Sequence, residues 1–180
     1  MAHIPVPDDL PGILGPFAFS PDTAKPMRDL ANVLLRGPST LTPAEREMIA
    51  TYVSSRNGCD FCRLSHAAAA SAHLGGDEGL IEHVVLNYET AHISDKMKAL
   101  LAIAGKVQDD GKRVTADDIA RAKGQGATDK EIHDTVLIAA AFCMFNRYVD
   151  GLGTWQPRDP AMYRDMGQRM ATQGYVRTEP

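Results

Sequence analysis

The chain has 180 residues, three cysteines and a formal net charge of -4. That length can bury a core as one domain without disulfide staples, and the odd cysteine count fits a reducing compartment better than a secreted disulfide scaffold. The mild charge, with no basic block and no apolar run of membrane-spanning length, argues against nucleic acid, anionic membrane or bilayer as partners. The opening segment, Met1-Ala2-His3-Ile4-Pro5-Val6-Pro7-Asp8-Asp9, has neither a basic n-region nor an apolar h-region, so a cytoplasmic protein is expected.

Residues 1–26 are proline-rich and read as an irregular arm, and residues 27–180 as one helical domain. Ile4, Val6, Leu10, Ile13, Leu14 and Phe17 give the arm no core of its own, so it is expected to lie across a neighbouring subunit. Pro26 is expected to open a short helix ending near Gly37. Thr42-Pro43-Ala44-Glu45 is a full start signal, with Thr42 as N-cap, Pro43 at the first helical position and Glu45 closing a capping box. This helix should run to Arg56. Asn57-Gly58 reads as its end and Asp60 as the cap of the next helix, over 60–74. Further helices are expected over 78–88, 94–109, 115–124, 128–150 and 159–173. Ser94, Thr115, Thr128 and Asp159 are their caps, and Gly75, Gly111, Gly124 and Gly174 the stops. No segment alternates as a strand would. Segments 42–56 and 128–145 share a cap, an acidic first turn and an alanine-rich body, a hint of internal duplication. The 128–150 helix is apolar over most of its circumference, which suits burial on all sides. The expected fold is all-α, in a single domain.

The chemistry concentrates in Asn57-Gly58-Cys59-Asp60-Phe61-Cys62-Arg63-Leu64-Ser65-His66. Cys62 falls in the first turn of its helix, where orphan N–H groups and the helix dipole favour an anion. His66 lies four residues on, along the same face. This wiring favours an ionised, reactive cysteine beside a resolving partner, and thiol redox chemistry. Glu47 shares a helix face with Ala50, Thr51 and Ser54, a pattern suited to close approach of another helix, where Glu47 could accept a proton or an imidazole hydrogen bond. On that pattern alone, a solvated surface glutamate is the default. Zinc is the rival for the cysteines, with Cys59, Cys62 and His66 as three ligands and His73 as a fourth. On a helix, however, His66 and His73 are separated by about 10 Å along the axis, too far for one ion. Cys143 reads as an inert core thiol, and His83 and His92 as cap or surface residues. His133 is a further relay candidate. Arg147 and Asp150 could form an intersubunit ion pair, Asn146 could line a cavity, and Trp155 could pack a helix end or a subunit contact.

Arg46-Glu47-Met48-Ile49-Ala50 with the spacing Glu47-x11-Cys59-x2-Cys62-x3-His66 resembles the signature of AhpD-like alkylhydroperoxidases, in the carboxymuconolactone decarboxylase superfamily. Pro38-Ser39-Thr40-Leu41-Thr42 and Phe145-Asn146-Arg147-Tyr148-Val149-Asp150-Gly151-Leu152 look like the flanks of its peroxidase-related branch. The resemblance spans roughly residues 10–160 and implies an AhpD-like helical bundle assembling as trimers or hexamers. No cofactor and no metal are expected. Its chemistry is hydroperoxide reduction by the cysteine pair, with an external dithiol or reductase restoring the thiols. By position, Cys62 corresponds to the peroxide-attacking cysteine, Cys59 to the resolving cysteine, and Glu47 and His66 to a proton relay. One position departs: Phe61 stands where the best-studied members carry a second histidine, which shortens the relay. Two other functions remain open. One is a decarboxylase-type enzyme acting on a small carbocyclic lactone, against which the cysteine pair argues. The other is a non-enzymatic redox sensor.

Overall fold

The computed structural model describes residues 2–176, which are mostly helical and contain no strand. The helices are α1 (Leu14–Phe19), α2 (Pro21–Arg36), α3 (Pro43–Arg56), α4 (Asp60–His73), α5 (Glu78–Asn87), α6 (Asp95–Asp109), α7 (Ala116–Gly124), α8 (Asp129–Gly151) and α9 (Pro160–Gln173). A 3-10 turn, Gly111–Arg113, joins α6 to α7. The expected starts at Thr42, Ser94, Thr115, Thr128 and Asp159 hold because each is local chemistry. Thr42, Thr115 and Thr128 close capping boxes with Glu45, Asp118 and Glu131, while Ser94 and Asp159 accept from Met97 and Ala161 amides.

The first long helix departs from expectation. It begins at Pro21, and Pro26 lies inside it. Pro21 is the better opener, since its fixed φ is preset for the first turn and its missing N–H has no partner there. Pro26 sits just past the first turn, so it removes a single intrahelical bond. A short helix, Leu14–Phe19, also occupies part of the segment expected to be irregular.

The arm rests on its own chain. His3 N–H donates to Leu152 O at 2.8 Å, and Gly12 N–H donates to Trp155 O at 2.9 Å. Gly12 has φ +51°, and a Cβ there would sit 2.2 Å from the Phe61 ring, so only glycine lets the arm cross this closely.

Helix α3 runs through the middle of the molecule, packed against α4, α6 and α8. Its Ile49 and Val53 are fully buried, as are Leu35, Leu100, Leu101 and Ile138 of the surrounding helices. Each such side chain contributes roughly 1.5–3 kcal/mol of transfer free energy. Glu131 pins the bundle, accepting from Thr40 at 2.9 Å and Lys96 at 2.8 Å. Burial pushes its pKa up, but these donors and the Thr128 amide pull it down to about 2. Helix α8 is not buried on all sides in the protomer, because Leu137 and Met144, one stripe apart by seven residues, are 38% and 44% exposed.

Candidate active site

The α3–α4 junction is built from three residues. Asn57 caps α3, and Gly58 follows with φ +72°. Gly58 N–H bonds to Ser55 O and Cys59 N–H to Ser54 O, a Schellman closure. Cys59 then serves directly as the N-cap of α4. Asp60 is therefore not the cap but the first helical residue, its carboxylate holding Arg63 at 3.0 Å. The shift of one residue places Cys62 third in the helix, still in the first turn. Cys59 and Cys62 are both buried, and all three cysteines are free thiols.

The two sulfurs are not equivalent. Hydrogen bonding with the Cys62 side chain pushes the Cys59 thiol far above the ordinary thiol value, with burial and the charge of Cys62 adding to it. Cys59 is thus the proton-retaining member. Cys62 faces a cavity of about 370 Å³, and His66 lies on the same wall. Ile13, Leu14 and Phe17 at α1, Phe142 and Phe145 of α8, and Met170 of α9 make most of that cavity apolar.

Glu47 overturns the surface default. It is fully buried, together with Ala50, Thr51 and Ser54 on its face. Its Oε2 lies 2.7 Å from His66 Nδ1, and its Oε1 lies 2.6 Å from Arg36 Nη2. The Tyr175 hydroxyl also donates to Oε1. Burial alone would raise the Glu47 pKa, but the His66 charge and hydrogen bond, Arg36 and Tyr175 outweigh it and hold the carboxyl below its ordinary value. With Nδ1 engaged by Glu47, Nε2 is the His66 nitrogen left for exchange with bound molecules. The imidazole is held edge-on to Phe142, with ring centroids 4.6 Å apart, and is stacked beside Tyr175.

Arg36 and Tyr175 were not singled out from sequence. Arg36 is the last residue of α2 and also donates through Nη2 to Met170 O at 3.1 Å. Arg46 fixes that helix end from below, donating to Gly37 O at 2.8 Å and Leu34 O at 3.2 Å. A basic residue in a last helical turn carries no local sign of an ion pair with the next helix. Tyr175 lies beyond α9, where no periodicity operates.

The weaker candidates disperse. His133 is 65% exposed at its side chain and pairs with Asp134, away from the cavity. Asn146 does not line the cavity; fully buried, it accepts from Asn57 at 2.8 Å and donates to Ser54 at 3.1 Å. Cys143 is half-buried, not a core thiol, with Asn57 Nδ2 3.6 Å from its sulfur. His83 is bonded to Thr90 at 3.0 Å, and His92 is exposed. Arg147 donates to Cys143 O, and Trp155 receives the arm through its carbonyl. Phe61, at the position of the relay histidine elsewhere, packs against Tyr163 and seats Gly12.

A family model described as carboxymuconolactone decarboxylase matches residues 21–106. No curated protein matches the chain. Among solved structures, an uncharacterized peroxidase-related protein from Silicibacter sp. TM1040 is 30% identical, with TM-score 0.76, over 86% of this chain and 78% of that one. A second structure, from Ralstonia eutropha JMP134, is described as an alkylhydroperoxidase AhpD core and an uncharacterized peroxidase-related protein. It is 24% identical, with TM-score 0.81, over 93% of this chain and 96% of that one. A protein of unknown function from Agrobacterium tumefaciens shares the fold at 23% identity and TM-score 0.70, over 82% and 99% of the two chains. The matched segment carries Glu47, Cys59, Cys62 and His66, and the chain belongs to the carboxymuconolactone decarboxylase family.

Proposed function

We propose that the protein is a thiol-dependent peroxidase that reduces hydroperoxides through Cys59 and Cys62. The observation that carries this reading is the joint placement of Cys62 and His66 on one cavity wall, with His66 backed by the buried Glu47 carboxylate. The Cys62 thiolate attacks the terminal oxygen of the hydroperoxide. The S–O bond forms, the O–O bond breaks, and the departing alkoxide takes a proton from His66 to leave as alcohol. Glu47 stabilises the imidazolium before transfer and orients the ring. Cys59, the protonated partner one turn away, then attacks the Cys62 sulfenic acid, giving a disulfide and releasing water. An external dithiol reduces that disulfide and is itself oxidised. The absence of a histidine at Phe61 leaves His66 as the sole imidazole in this scheme.

The test is steady-state consumption of tert-butyl hydroperoxide with dithiothreitol, joined to mass spectrometry of the cysteine peptide after one equivalent of peroxide. Catalytic turnover and a Cys59–Cys62 disulfide are expected. Cys62 linked mainly to Cys143, or between chains, would overturn the assignment. One-time oxidation without turnover would point to a redox sensor. Lactone consumption by a protein lacking both cysteines would favour decarboxylase-type chemistry.

The exposed stripe of α8 supports assembly as a trimer or hexamer, and the three free thiols suit work in a reducing cytoplasm. Light scattering at micromolar concentration should give a multiple of 19.5 kDa, and a monomeric mass would refute it. Among the described residues, no helix is long and apolar enough to cross a membrane.

A further inference from the structure

Beyond α9 the chain turns back over the cavity. Gly174 has φ +73°, and its N–H closes on Met170 O at 3.0 Å. Tyr175 N–H then donates to Asn32 Oδ1 on α2 at 3.2 Å. A Cβ at position 174 would lie 2.7 Å from that same Oδ1, so the turn needs glycine for its conformation and for the space. The tail is thereby anchored before its side chain reaches the site.

The Tyr175 ring lies nearly parallel to His66, at 15°, and the Arg36 guanidinium sits 5.1 Å from its centroid. Its hydroxyl donates to Glu47 Oε1 and lies 3.3 Å from His66 Nδ1. The two oxygens of Glu47 are therefore divided: Oε1 takes Tyr175 and Arg36, and Oε2 takes His66. A carboxylate held by two donors at one oxygen cannot rotate without breaking both, so the other oxygen stays aimed at Nδ1. Burial and the Glu47 charge keep the phenol protonated well above its ordinary range, so it remains a donor.

We infer that the Gly174–Tyr175 turn after α9 is a working part of the catalytic centre, with Tyr175 as the positioning residue that locks Glu47 onto His66. The inference rests on the peroxidase reading for its kinetic consequence, but not for its structural one. It ties proton delivery at Cys62 to docking of the tail, since the ring, the turn and the Asn32 anchor act together.

Two full-length variants separate the parts. Tyr175→Phe keeps the ring and removes the hydroxyl, and Gly174→Ala forces the tail off its anchor with the tyrosine intact. The first readout is hydrogen exchange of the His66 Nδ1 proton by NMR, which needs no activity. The second is reduction of tert-butyl hydroperoxide with dithiothreitol, resolved into kcat and KM. Both variants should exchange that proton at least about tenfold faster and lose roughly 10- to 100-fold in kcat with KM little changed, at or just below the lower end of the range for a general acid–base group itself. Unchanged exchange in Tyr175→Phe overturns the inference whatever the activity. Faster exchange with unaltered kcat, or a loss carried by KM alone, also overturns it, because the tail would then only shield the ring or line the cavity. If Gly174→Ala fails to fold, Tyr175→Phe decides the question by itself. Wild-type protein with no peroxide turnover but a protected Nδ1 proton would sink the peroxidase reading while leaving the lock itself testable by exchange.

Discussion

Cys62→Ser abolishes peroxide consumption, whereas Cys59→Ser retains one round and accumulates oxidised Cys62. The asymmetry follows from position. Cys62 faces the cavity beside His66, while Cys59 is the N-cap behind it, fully buried and held as a thiol. Without Cys59 the sulfenic acid has no local partner, so the first equivalent of peroxide is consumed and the cycle stops. The loss in steady-state turnover should exceed about a thousandfold for either variant, because each removes a covalent participant rather than an assisting one. Stopped-flow peroxide consumption, with dimedone labelling to trap the sulfenic acid, reads the difference. If Cys59→Ser loses the first turnover and Cys62→Ser keeps it, the roles are exchanged.

Glu47→Gln lowers peroxide reduction by roughly ten- to a thousandfold at neutral pH, the range for general acid–base groups or just below it. Glutamine matches the size of Glu47 but brings an N–H₂ toward His66 or Arg36 and removes the charge that stabilises an imidazolium. If the amide N–H₂ faces His66, the imidazole must change tautomer or lose its bond; if it faces Arg36, the guanidinium loses its acceptor. In either case Arg36 is left partly buried without its counter-ion. The rate of Cys62 alkylation by iodoacetamide should fall with it. A Glu47→Gln/His66→Gln double variant should be less impaired than the product of the single effects, since the two groups act as one unit. Stability carries a second signature. The folded Glu47 carboxyl lies below its ordinary value, so its contribution is full above the ordinary carboxylate pKa and is lost as pH falls through the lower folded one. Acid melts should therefore show wild-type protein losing more stability across that window than Glu47→Gln. Equal pH dependence together with unchanged Cys62 alkylation would remove Glu47 from the relay.

Several features that place the site were legible in the residues because they are short-range. Thr42 with Glu45, Thr115 with Asp118 and Thr128 with Glu131 close boxes three residues apart, so no tertiary contact is needed to start those helices. The same locality makes Asn57-Gly58-Cys59 a helix break, because a single left-handed glycine satisfies the last carbonyls of α3. Where two local signals competed, sequence alone chose poorly. Asp60 is a better cap by type than Cys59, yet the Schellman closure spends Cys59 N–H on Ser54 and starts α4 one residue earlier. Pro26 likewise has the residue type of an opener, but Pro21, five residues earlier, occupies the first turn.

By itself, the sequence determined the all-helical bundle, the placement of Cys62 in a first turn and the alignment of His66 behind it, since all of these follow from separations of four residues or fewer. Tertiary structure alone decided the state of Glu47. Its partners lie 19 and 128 residues away at His66 and Tyr175, and a carboxylate with that face of small neighbours is equally compatible with water until α4, the end of α2 and the tail close over it. Desolvation makes the difference, because burial would neutralise an isolated Glu47, and only the assembled donors keep it ionised and aimed at His66.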